Sequence, residues 1–308
     1  MRPPPDPPRY RPDRKVRRAL GPLFGAACLL ATSSGVVVLS VLLGAVVGTM
    51  LRGLRGRSVF VVLGELTTRM QSYLPAQAGY RAGIFGSLWL LGLVAAFAIP
   101  VGVGAAVFLE EYAPPGRIRR LIQLNIANLA GVPSIVYGLL GLALFVRALG
   151  ADRLKLGPSL LAGALTLGLL VLPVIVIATQ EALRTVPDSL RQAALALGAT
   201  RWQVVRDHVL PGALPGVMTG VILALSRAIG ETAPLLMVGA AATILSTPRG
   251  PSSRYTALPV EIYNYAKERD PRYEAIAAGG ILLLLALLLT MNAAAIVIRN
   301  RYARSARG

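Results

Sequence analysis

One cysteine, one histidine and three lysines are all that 308 residues supply of those types. The lone cysteine, Cys28, excludes an intrachain disulfide framework, and with His208 as the sole histidine no Cys/His cluster of metal-ligand spacing can form. No metal site is expected. None of Lys15, Lys155 and Lys267 follows a glycine, so the Gly-Lys-Ser/Thr core of a phosphate-cradling P-loop is missing and the chain lacks an ATP motor of that kind. Acidic residues are scarce too, 14 against 32 Lys and Arg, for a formal net charge of +18. In a soluble domain that balance would suggest nucleic acid, because clustered cations release phosphate counterions on binding. The apolar content argues otherwise. Hydrophobic residues make up 55% of the chain and mean hydropathy is +0.62, so no nucleic-acid partner is expected.

What the sequence does have is long uncharged stretches, at 19–51, 82–109, 121–146, 156–180, 208–226, 232–248 and 275–298. A bilayer core of about 30 Å needs roughly 20 apolar residues at 1.5 Å each, so five of these stretches can each hold a spanning helix. The two shorter ones flank Arg227 and Glu231 and read as one span of about 30 residues carrying two charges. The expectation is an all-α membrane protein with six transmembrane helices, multi-pass in the plasma (inner) membrane and in contact with lipid. The first stretch is longer than the roughly 7–15 apolar residues of a signal peptide and has no evident cleavage site, so it reads as a retained span.

Residues 1–18 are rich in Pro and Arg and read as a disordered basic tail. The first transmembrane helix is then expected at 19–51, an outer loop at 52–81, and a core of five further helices at 82–298, followed by a tail at 299–308. Both ends are expected in the cytoplasm, since segments on that side hold 18 Lys and Arg against 13 outside. Arg52, Arg55 and Arg57, directly after the first span, run against the trend. The small residues around Pro100 and Gly131-Val132-Pro133-Ser134 suit close helix packing, with a pore-lining role as the alternative. Asn125, Asn128 and Tyr137 are expected to face protein or a cavity.

Residues 181–215 are too polar to span and too patterned for a plain linker. Pro187 suits a helix start with Thr185 or its neighbour as cap, and Leu190, Ala193, Ala194 and Leu197 share one helical face. Gly198 supplies a left-handed stop, Thr200 can cap a second helix, and Pro211 is expected to end it. Residues alone allow a hairpin lying on the membrane or against a partner. The spacing Gln192-Ala193-Ala194, three residues, Gly198-Ala199, His208, one residue, Leu210-Pro211 resembles the EAA loop of ABC-importer permeases. Gln192 departs from that family's glutamate and His208 from its apolar residue; no role is assigned to His208. The resemblance implies docking to a separate nucleotide-binding subunit, with ATP and Mg handled there and no cofactor on this chain.

Arg227 and Glu231 lie four residues apart, on one helical face. Charges at membrane depth cost at least about 2.5–3.5 kcal/mol each on insertion scales, so they are paired and face protein or water. They can serve only to lock the bundle, or they can line an anion path, where a guanidinium matches a tetrahedral oxyanion and a carboxylate holds it or takes a proton. The stretch Ser226-Arg227-Ala228-Ile229-Gly230-Glu231-Thr232-Ala233-Pro234-Leu235-Leu236 resembles the PstA family of phosphate-importer permeases, with further matches at Glu111-Tyr112, 129–138, 185–191, 258–260 and 262–264. That resemblance implies the type I (MetI-like) permease fold, and phosphate as cargo with Ser226, Arg227, Glu231 and Thr232 on its path. The partners it implies are a PstC-like permease subunit, two PstB-like ATPase subunits and a PstS-like binding protein. Alternatives are an ABC importer of another oxyanion or small solute, a proton-coupled secondary carrier using Glu231, and a membrane scaffold that only anchors an ATPase.

Overall fold

Charged residues bracket the apolar helices, because each spanning segment runs until a charge can reach the interface. The computed structural model describes residues 14–53, 57–148, 156–240, 244 and 246–305; most of the expected N-terminal tail, at 1–13, lies outside them, as do 306–308. Every regular element among the described residues is helical. Helix α1 (Arg14–Gly53) precedes a short helix α2 (Val59–Thr68), and α3 (Arg81–Val107) runs on through a π-helical turn at Phe108–Tyr112. Helices α4 (Arg117–Ala130) and α5 (Ser134–Gly141) follow, α5 continuing as a π-helical turn at Leu142–Ala148. Next come α6 (Leu160–Arg184), α7 (Asp188–Ala196), α8 (Arg201–Val204), a π-helical turn at Val205–Val209 and α9 (Leu210–Gly230). Helices α10 (Ala233–Val238), α11 (Leu258–Ala266) and α12 (Arg272–Ser305) complete the chain.

Five helices are long and apolar enough to cross a membrane, at 21–53, 81–112, 160–184, 201–230 and 272–302, and the bent pair α4–α5 brings the number to six when it is counted as one span. Two of these spans are not straight helices. The third folds through 102° between its arms. Pro133 stands at the start of α5 with φ −57° and ψ 138°, a conformation outside the helix, and Pro cannot donate the hydrogen bond that would continue α4. Tyr137 reaches back across the break, its hydroxyl donating to the Leu129 carbonyl at 2.9 Å. The fifth span stops at Gly230, because the Pro234 ring would strike the Gly230 carbonyl in a continuous helix. Glu231 takes an extended conformation, and the chain restarts as the six-residue α10.

Helix α6 is the most enclosed span and organises the bundle. It packs against α3 and α9 around Val94, Ala98, Leu167, Val171, Ile175, Ala224 and Ala228. Gly216 and Gly220 of α9 face Ala182 and Ala178 of α6, an antiparallel contact in which a methyl group on either glycine would collide with the partner helix. At one end of the bundle, α2, α11 and the start of α12 gather around Tyr80, Tyr265 and Tyr273, with the latter two rings stacked at 5.5 Å. Helix α1 stands apart. It touches the rest through Val46 and Met50 against Ala278 and Leu282 of α12, and from Gly21 to Ala45 its side chains are exposed.

Candidate translocation site and coupling loop

Helix α9 brings Ser226, Arg227 and the chain break at Glu231-Thr232 to one level of the bundle. The α6–α9 contacts advance four residues along α9 for four back along α6, and continuing that register sets Arg227 opposite Val171, near the middle of Leu160–Arg184. Both charges therefore lie deep in the span. Arg227 Nε donates to Glu231 Oε1 at 3.2 Å, and the Glu231 side chain is 17% exposed against 46% for that of Arg227. Arg227 also occupies the last turn of α9, where a cation complements the unsatisfied carbonyls of a helix end. The pair thus holds itself while leaving nearly half of the Arg227 side chain open on a face that the described helices do not cover.

The neighbours of the pair are polar in a sparse way. The Ser226 hydroxyl lies 2.6 Å from Asn292 Oδ1 on α12 and 2.7 Å from the Ile222 carbonyl, and so bonds α9 to α12 at membrane depth. Thr232 caps the start of α10 by position only, with no side-chain hydrogen bond to its amides. Gly138 of α5 sits against α10, where a Cβ would come within 2.7 Å of Pro234 Cα. The bent third span and the broken fifth span therefore meet beside Glu231. Of the three polar residues on the third span expected to face protein or a cavity, Tyr137 is buried, and Asn125 and Asn128 lie on a face of α4 that this chain leaves exposed.

At the opposite end of α9 stands the hairpin of α7 and α8. Gly198 joins the two at φ +86°, the left-handed turn that L side chains rarely adopt, and Thr200 caps α8 in a reciprocal box with Gln203. Two local expectations give way. Thr185 does not cap α7, because its hydroxyl donates to Ala182 O at 2.7 Å and closes the end of α6, leaving Pro187 at the cap position. Nor does Pro211 end the second helix. The π-helical turn at Val205–Val209 absorbs the missing Pro211 donor ahead of α9, so α8 is continuous with the fifth span.

The predicted face of α7 splits in two. Ala194 is buried against Leu183, Val186 and Val209 of the permease itself, while Leu190, Gln192, Ala193 and Leu197 are exposed, Leu197 at 90%. Ala199 is partly buried against the same cluster as Ala194, and Leu210 and Pro211 are half-buried in the connection to α9. Arg191, which sequence reasoning passed over, anchors the inner face. Its guanidinium donates to Glu111 at 2.8 Å, to Asp188 at 2.9 Å, and to the Leu183 and Val186 carbonyls at 2.9 and 2.6 Å. Glu111 and burial act in opposite directions on this group, and the hydrogen bond to Glu111 dominates, holding Arg191 above its ordinary value. Asn292 was also missed; nothing in a single sequence marks which polar residue of a long apolar run will face Ser226.

Comparison with known proteins agrees with this architecture. Residues 98–304 match the family described as binding-protein-dependent transport system inner membrane component. The chain is 37% identical over 247 residues to the probable ABC transporter permease protein YqgI of Bacillus subtilis (strain 168), covering 75% of this chain and 81% of the relative. It is 38% identical over 240 residues to the phosphate transport system permease protein PstA 1 of Mycobacterium tuberculosis (strain CDC 1551 / Oshkosh), covering 77% and 76%. Among solved structures, the MetNI methionine ABC transporter in an inward-facing conformation superposes with a TM-score of 0.56 at 22% identity, over 71% of this chain and 94% of that one. The last likeness shows a shared type I importer permease fold.

Proposed function

The chain belongs to the binding-protein-dependent transport system inner membrane component family, and from that membership we propose that it is the PstA-like permease subunit of an ATP-driven phosphate importer. The observation that carries the reading is the Arg227–Glu231 pair, set at mid-depth where α9 breaks, with nearly half of the Arg227 side chain open. The relatives named for phosphate transport support the cargo. A guanidinium offers a fork of donors to a tetrahedral oxyanion. Glu231 fixes that fork and can accept a proton from a protonated oxyanion, a group that sulfate lacks at neutral pH. Ser226 and Thr232 flank the pair and are proposed as further polar contacts on the path.

The open face of Arg227 is completed by a PstC-like permease subunit, and the exposed face of α7, with Leu190, Gln192, Ala193 and Leu197, docks into one of two PstB-like ATPase subunits. ATP and Mg are held there, and this chain binds no cofactor. A PstS-like protein delivers phosphate to the outer side. ATP closure moves α7, the spans open outward, phosphate passes Arg227, and hydrolysis restores the inward state.

Cargo is tested by competition. In cells whose phosphate uptake depends on the complete system, phosphate and arsenate should each suppress uptake of labelled phosphate, while a tenfold excess of sulfate should leave it near its starting rate, an outcome that takes discrimination of about a hundredfold or more, about 2.8 kcal/mol. Stronger competition by sulfate than by arsenate would reassign the cargo to another oxyanion.

A further inference from the structure

The cytoplasmic end of the bundle carries a charge network that neither the cargo site nor the ATPase-facing surface of α7 uses. Its centre is the adjacent pair Glu110 and Glu111 in the π-helical turn that ends α3. Glu111 accepts from Arg191 of α7 at 2.8 Å, in a pair only 10% and 18% exposed. Glu110 accepts from Arg184 at the end of α6 at 2.9 Å and from Arg119 in the first turn of α4 at 3.1 Å, and is itself 13% exposed. Four helices are thus joined through two neighbouring carboxylates. Arg191 adds bonds to the Leu183 and Val186 carbonyls, so α7 cannot tilt without breaking contacts to both α3 and α6. The chain of contacts does not stop there. Arg119 belongs to α4, α4 turns into α5, and Gly138 of α5 rests on Pro234, three residues beyond Glu231.

We infer that the Glu111–Arg191 and Glu110–Arg119 pairs are the mechanical link that passes displacement of α7 to the bent span and so to the break beside the cargo site. This rests on the coupling part of the function proposed above, and adds the residues that carry it. Two features favour a transmitting role over simple anchorage. Both pairs are charge-assisted and largely buried, and Glu111–Arg191 is short at 2.8 Å, which makes it a stiff connection. Each also bridges separate helices, across 80 residues of chain in the case of Glu111 and Arg191, so that no local backbone could substitute there. Glu111 and Arg191 act as positioning residues, since neither lies near the cargo or the nucleotide.

The test follows motion at the far end and needs no cargo. In the complete complex, with Cys28→Ser removing the native thiol and Met237→Cys placing one on α10 beside Gly138, the rate of maleimide labelling is measured without nucleotide and with ATP plus vanadate. With the pair intact, nucleotide should change the labelling rate about fivefold or more, the lower end of ordinary coupling between sites. Glu111→Gln and Arg191→Gln should each abolish that change while the complexes still assemble and hydrolyse ATP, and the double variant should be no worse than either single. A nucleotide-dependent change that persists in both single variants would overturn the inference, as would an intact complex in which the thiol introduced by Met237→Cys never responds. Phosphate uptake by the same preparations reports separately on the cargo.

Discussion

Glu261 is a carboxyl enclosed on all sides, and at the scale of single residues it makes the sharpest pH prediction. It sits on α11, outside the spanning segments, fully buried, with neither oxygen in a hydrogen bond of standard geometry. Burial pushes its pKa from 4.5 up to about 8, against a smaller opposing pull from the Gly83 amide. Tyr80 and Tyr265, which face it, are themselves raised by burial and stay neutral throughout this range. A folded state that holds a proton the unfolded chain would release is stabilised below about pH 4.5. It loses that stabilisation progressively as pH rises towards 8 and levels off above it. The thermal midpoint of the purified protein should therefore fall between pH 5 and 8, and Glu261→Gln should flatten the dependence; an unchanged slope in the variant would assign it to other groups. No sequence pattern marked this residue. Arg227 and Glu231, by contrast, were legible because a charge inside an apolar run is costly wherever it lies, while the burial of Glu261 depends on α3 and α12 closing over it.

Elements were legible in proportion to how far hydropathy controls them. The runs at 82–109, 156–180 and 275–298 match helices spanning 81–112, 160–184 and 272–302 to within a few residues, since the same charges that end a run also reach the interface. The breaks at 131–133 and 231–232 could not be placed that way, because hydropathy carries no direction. Pro133 and Pro234 mark them only once the consequence of a missing donor and a clashing ring is followed through. Gly198 is the clearest case of local chemistry fixing an element. Any side chain at φ +86° costs about 1–2 kcal/mol of left-handed strain, so Gly198→Ala should loosen the α7–α8 joint and lower recovery of the ATPase with the permease on purification. Equal recovery would mean the joint is not held in that turn when docked. The ion pairs that Arg184 and Arg191 make with Glu110 and Glu111 were not legible at all, since they join residues 74 and 80 apart in sequence.

At the scale of the whole molecule, the distribution of exposed surface is that of one part of a larger assembly. The most enclosed helix, α6, is surrounded by α3, α9 and the bent α4–α5 span, yet α1, the outer face of α4 and the guanidinium of Arg227 remain uncovered by this chain. Apolar surface on α1 can face lipid. An exposed cation at mid-span cannot do so cheaply, and a second permease subunit with a solvated path between the two resolves the cost. On this view the chain holds half of a passage, one docking helix and the connection between them, while energy enters from elsewhere. The most direct measurement is phosphate uptake into vesicles containing the complete complex, with wild-type Arg227 or with Arg227→Gln. Uptake should require ATP and should not respond to a pH gradient alone. In the Gln variant it should fall about tenfold or more, on the scale of one charge-assisted hydrogen bond of roughly 1.5–3 kcal/mol, with the complex still assembled and hydrolysing ATP. Uptake driven by a pH gradient without ATP, or wild-type uptake through assembled Arg227→Gln complexes, would contradict this account.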